Sequence, residues 1–194
     1  MGAVGTGGAG LAENLRRPGG LGRERVHVRA DHHPGSVADR AVRRRGHRRH
    51  APGTRDHGER FVGFRMARTR RLSDPDRPLR LHAVLTEGAL RLAVGDPQLR
   101  RAQLRHLLAM AELPAVTIQV VRPEDGPHTA LTGQFVVLGF ENVRSIGYVE
   151  LHDGAVYLQD PDQVQTYTLV AENLQRVALG PEQSVALIQS MLTP

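Results

Sequence analysis

Asp96 to Val121 reads as one amphipathic helix followed at once by one buried strand, and this pair constrains the fold more than any other stretch. Asp96 suits an N-cap, and Pro97 suits the first helical position, where a missing N–H is no loss. Leu104, Leu107, Leu108 and Ala111 recur at i, i+3, i+4 and i+7, which makes one apolar stripe. Arg100, Arg101 and Arg105 fall largely off it. Pro114 stops the helix, and Val116–Val121 is a β-branched run of strand length.

The rest of the C-terminal two-thirds arranges itself around that pair. Phe61, Phe64 and Met66 among Arg65, Arg68, Arg70 and Arg71 predict a short basic helix ending near Leu72. Turn residues over 73–78 mark a linker. Leu79, Leu81, Ala83 and Leu85 alternate with polar neighbours as a half-buried strand, and 87–90 opens a short helical turn. Residues 122–133 form a loop carrying His128, and 135–140 is apolar on both faces, as an interior strand would be. Residues 146–151 and 155–158 flank an Asp-Gly turn, which predicts an antiparallel hairpin. Asp160-Pro161 repeats the Asp96-Pro97 capping pattern, and Val164, Tyr167, Ala171, Leu174 and Ala178 keep helical spacing up to Gly180. A last helix runs from Pro181 to about Leu192. The expected class is α+β: an antiparallel sheet of about five strands, packed by one central helix and two C-terminal helices, and preceded by a disordered basic arm.

The arm is residues 1–58, and the folded domain is residues 59–194. Residues 1–60 hold 13 Arg against 6 acids, and the remainder holds 13 Arg against 14, so the net charge of +6 belongs to the N-terminal third. Only eight Leu, Ile, Val or Phe occur in those 60 residues. Ordering a residue costs about 1–2 kcal/mol, and eight aliphatic side chains return about 1.5–3 kcal/mol each, so the segment should not fold alone. Arg, Gly, His, Pro and Ala without periodicity is also what a GC-rich gene yields when read out of frame. The expectation is that much of 1–60 is mis-framed or mis-started translation.

Little in the chain points to chemistry. It has no Cys, which excludes disulfides and thiolate catalysis. The stretch from Gly5 to Gly10 fits GxGxxG, but no strand can precede it, so it reads as a Gly tract. His27, His32, His33, His47, His50 and His57 lack a fold to hold a metal, and no cofactor is implied. Arg43, Arg44, Arg45, Arg48 and Arg49 could contact phosphates nonspecifically, with no aromatic residue to stack on a base. Glu87 at a strand end, Gln103, His128 in its loop, and Tyr148 beside Glu150 are candidate ligand or partner contacts. None forms a triad, a phosphate loop or a carboxylate pair, so no catalytic residue is expected and an enzyme is not. No run reaches a membrane span and no apolar leader is visible, so a cytoplasmic protein is expected.

Several stretches carry a family resemblance. They are Arg65-Met66-Ala67-Arg68 with Leu72, Leu81 to Glu87 with Leu90, Gln103 to Leu108, and Thr117 to Val121. His128, Gly133 and Phe135 match a loop-and-strand motif, Tyr148-Val149-Glu150, Tyr157-Leu158 and Asp160-Pro161 match the sheet, and Ala178-Leu179 with Glu182-Gln183-Ser184 matches the end. Together they resemble a C-terminal domain of unknown function from actinobacterial Xre-type helix-turn-helix, antitoxin-like transcriptional regulators. The resemblance implies a regulatory, partner-binding domain and a small toxin-like protein as partner. It carries over no catalytic residues. The helix-turn-helix and the PGLLQT-like segment of such regulators are missing, which implies a truncated regulator that meets DNA only if that motif is supplied elsewhere. Two alternatives stand beside this reading. One is a standalone small-molecule sensor or enzyme with a pocket near Glu87 and His128; the other is a nonspecific nucleic-acid binder acting through the Arg-rich arm. Monomer and homodimer are both open.

Overall fold

The computed structural model describes residues 71–76, 79–92, 96–126, 128, 133–140, 143–151 and 154–193, together with the backbone of residues 25–30. Six strands form one mixed sheet: β1 (Arg25–Ala30), β2 (Arg80–Thr86), β3 (Val116–Val121), β4 (Val136–Gly139), β5 (Ile146–Leu151) and β6 (Gly154–Leu158), in the order β3-β2-β1-β4-β5-β6. Among the described residues four α-helices accompany it: α1 (Glu87–Arg91), α2 (Pro97–Ala111), α3 (Pro161–Val177) and α4 (Pro181–Ser190). The class is α+β, with the central helix and two C-terminal helices packed on the sheet.

The sheet departs from the sequence expectation in two ways. It is not purely antiparallel: β2 pairs with β3 and with β1 in parallel, while β4, β5 and β6 form an antiparallel meander. The reason is connectivity, because a strand–helix–strand crossover brings the second strand back in the same direction as the first. The sixth strand, Arg25–Ala30, comes from the stretch assigned to the arm and joins the parallel pair to the meander. The rest of that arm, residues 61–70 of the expected basic helix, and His152 and Asp153 of the expected turn lie outside the described residues.

Alternation along the strands sorts the core into two layers. Leu81, Ala83 and Leu85 of β2 with Val116, Ile118 and Val120 of β3 face Leu104, Leu107 and Met110 of α2 and Ile188 of α4. On the opposite face Val84, Val121 and Val137 meet Ala171 and Leu174 of α3, and Phe135 sets its ring edge-to-face against Tyr167. The helix starts are capped as their sequences require. Asp96 accepts from the Leu99 amide at 2.8 Å, and Asp160 accepts from the Asp162 and Gln163 amides. Helix α2 ends at Ala111, three residues before the proline that forbids its continuation.

The outer edge of β3 is sealed by the C-terminal segment. The Leu179 amide donates to the Val120 carbonyl at 2.9 Å. The Val120 amide donates to the Ser184 hydroxyl at 2.9 Å, and that hydroxyl donates to the Leu179 carbonyl. Buried Gln119 adds a second tie, its amide nitrogen donating to the carbonyls of Gln175 and Leu179 at 3.1 and 2.9 Å. With both amide protons spent, its oxygen faces the imidazole of His82, so His82 carries its proton on Nε2 and donates to Gln119.

That arrangement makes stability pH-dependent. Burial holds the His82 imidazole below its ordinary 6.5, outweighing the hydrogen bond to Gln119, which acts in the opposite direction. The unfolded chain takes up the proton near 6.5, whereas the folded chain does so only at lower pH. The contribution of His82 is therefore fully present above pH 6.5 and is lost as pH falls toward the folded-state value. Urea midpoints measured from pH 7.5 downward should decline more steeply for the parent than for His82→Gln; parallel profiles would contradict this.

Candidate functional site

Two features of the sheet remain available for function: the charged end above its parallel strands and the free edge along β6.

Thr86 and Val121 are the paired last residues of β2 and β3, so Glu87 and Arg122 leave adjacent strands side by side. Glu87 starts α1, is buried, and is held by Arg91 one turn on, at 2.6 Å. The Arg122 guanidinium closes on Asp125 at 2.7 Å and reaches Glu124 at 3.3 Å, while its own amide donates to Asp125 at 2.8 Å. The Pro123–Asp125 turn and Gly126, at φ +84°, bend the chain so that this clasp can form. Hydrogen bonding from Arg122 holds the Asp125 carboxyl below the usual carboxylate range, assisted by the charge field of His128. The same contact, with weaker contributions from Glu124 and Glu87, raises the Arg122 guanidinium.

The structure thus gathers Glu87 and His128 with Arg122, Glu124 and Asp125 at one end of the sheet. Its chemistry is charge pairing: Asp125 is kept ionised by a fork of donors, a poor arrangement for accepting a proton. The clasp escaped sequence reasoning, although Arg122-Pro123 followed by an acid at 125 is the signature of a capped turn.

The other candidate residues stand apart. Gln103 is buried on α2 among Leu99, Leu104 and Leu107. Tyr148 and Glu150 lie on β5, three strands from β2, or about 14 Å at ordinary strand spacing. Arg43, Arg44, Arg45, Arg48 and Arg49 lie outside the described residues. Among the described residues no cluster of three His, Cys, Asp or Glu side chains could hold a metal ion, and no helix is long and apolar enough to cross a membrane.

Tyr148 belongs instead to the second feature. It pairs with Tyr157 of β6, the rings meeting edge-to-face at 5.2 Å. Strand β6 ends the sheet, and from Gly154 to Tyr157 every residue is exposed. Of seven large hydrophobic residues exposed among the described ones, Leu151, Val156 and Tyr157 sit on this one hairpin. Its register is held by a close approach, since a Cβ on Gly147 would come within 3.1 Å of the opposing Leu158 side chain. One edge of the sheet is therefore closed by hydrogen bonds to the C-terminal segment, and the other, among the described residues, is bare and apolar.

Set against curated proteins and against solved structures, the chain matches none at a significant level. A family model does match, over residues 38–190, beginning inside the segment that composition assigns to the arm. This chain belongs to the family described as a domain of unknown function, DUF5753.

Proposed function

We propose that this chain is the regulatory, partner-binding domain of an antitoxin-like transcriptional regulator of the Xre type, and that it works by binding rather than by catalysis. The observation that carries the reading is the contrast between the two edges of the sheet. A strand edge with unpaired backbone groups and exposed Val156 and Tyr157 is what a protein partner uses, and a domain with no such role normally covers or charges it. The resemblance to antitoxin-like regulators supports a small toxin-like protein as that partner.

Co-expression with a small toxin-like protein encoded beside the gene tests this. The two should co-elute as one complex on size exclusion, and the chain alone should give no salt-resistant, sequence-selective gel shift.

A second reading rests on the charged end, where Glu87, Arg122, Asp125 and His128 gather at the carboxyl ends of parallel strands, a common place for ligands in parallel sheets. There the domain would sense a small polar molecule. Absence of a complex, together with a metabolite-induced rise in Tm that Glu87→Ala or His128→Ala removes, would favour that reading over the first.

A further inference from the structure

We infer that the β6 edge takes up an extended basic peptide segment, which adds to the sheet as a further strand. The inference rests on the partner-binding reading and specifies the chemistry of the partner.

Strand β6, Gly-Ala-Val-Tyr-Leu, carries neither of the sequence devices that protect an edge, a charge or a proline, and its residues from Gly154 to Tyr157 are exposed. Only two residues connect Leu151 to Gly154, so that pair closes the ladder as a hydrogen-bonded one. Alternation then makes Val149↔Val156 and Gly147↔Leu158 the other bonded pairs. Ala155 and Tyr157 are left directing their N–H and C=O groups outward. An incoming strand finds two such residues along roughly 17 Å of edge. The Tyr148–Tyr157 pair offers aromatic surface on one face, and Val156 offers apolar surface on the other.

Charge decides which strand fits. Asp160 and Asp162 follow directly on β6, and no basic residue occurs from Ala155 to Gln175. A second copy of this chain in parallel pairing would set Asp160 beside its equivalent, a like-charge contact. Arginine or lysine on a foreign strand meets opposite charge there instead.

A fluorescein-labelled peptide, Arg-Thr-Val-Thr-Val-Thr-Val-Thr-Arg, is the probe, titrated at low salt into the full chain and followed by anisotropy. Its counterpart with glutamate at both ends is the control. The arginine-ended peptide should bind at least about tenfold more tightly than the glutamate-ended one. Ala155→Pro removes an outward N–H while sparing the bonds to β5, as an edge strand tolerates, and should abolish binding with the circular dichroism spectrum retained. Val156→Lys, a change at an exposed position, should weaken the arginine-ended peptide as well, and Asp162→Arg should erase the preference between the two. Equal binding of both peptides, binding by neither, or undiminished binding to Ala155→Pro would overturn the inference. So would a dimer of the chain alone that Ala155→Pro dissolves. If both peptides fail while the toxin-like partner still co-elutes, the inference falls and the partner-binding reading stands.

Discussion

Replacing Gln119 with leucine is expected to cost about 1.5–4.5 kcal/mol of stability, because it removes three hydrogen bonds at once. The side chain is buried, and its amide satisfies the carbonyls of Gln175 and Leu179 and the imidazole of His82. A leucine of similar volume would fill the space, so the loss comes from broken hydrogen bonds rather than from a cavity. Each such bond contributes about 0.5–1.5 kcal/mol. The effect should appear as a lower urea midpoint at unchanged slope. Ser184→Ala should add a smaller loss of its own, since the Val120 amide would lose its acceptor while Leu179 keeps its bond to the Val120 carbonyl. A Gln119→Leu variant as stable as the parent would mean that the C-terminal segment does not hold the β3 edge.

Leu107→Ala is expected to have an effect of similar size by a different physical route. Leu107 is fully buried at the middle of α2, within the cluster formed by β2, β3 and α4. Removing its isobutyl group loses transfer free energy and leaves a void that the surrounding strands cannot close, about 2–5 kcal/mol in comparable sites. The helix should survive, since alanine is the better helix former, so far-ultraviolet circular dichroism at low temperature should match the parent while the midpoint falls. Leu108→Ala, one position away and only partly buried, is the control and should cost distinctly less.

How much of this was legible in the chain depends on whether the signal was local. Helix α2 and strand β3 announce themselves through Asp96-Pro97, the leucine stripe and the β-branched run, each needing only neighbours within a turn or two. The same holds for the β5–β6 hairpin and for α3. Strand direction is not local. The crossover from β2 through α1 and α2 to β3 contained the hint of parallel pairing, but β-branched runs look alike in either kind of sheet. In Arg25–Ala30 a period-two pattern, Val26 and Val28 between charged or polar residues, was outweighed by the composition of the 60 residues around it. Gln119 and Ser184 look like ordinary strand and helix residues, and their partners stand about 60 positions away or on another element, so nothing in their neighbourhood marks them.

The candidate site divides in the same way. Glu87 and His128 stand out individually in the sequence, and the structure brings them to one end of the sheet. The residue that organises that end, Arg122, reads in the sequence only as the start of a loop. Tyr148 stands out in the sequence as a possible contact, but its meaning comes from Tyr157 across the hairpin and from β6 standing last in the strand order. An edge is a property of the assembled sheet. It becomes visible only when the strand order is known.

Amide hydrogen exchange, resolved residue by residue by NMR, tests the asymmetry of the two edges most directly. Exchange should be slow at Val120, whose N–H is bonded to Ser184. It should be fast at Ala155 and Tyr157 in the free chain and become slow when the arginine-ended peptide is added. Protection of Ala155 and Tyr157 in the free chain, or no change on adding the peptide, would contradict the claim that the domain binds through its bare β6 edge.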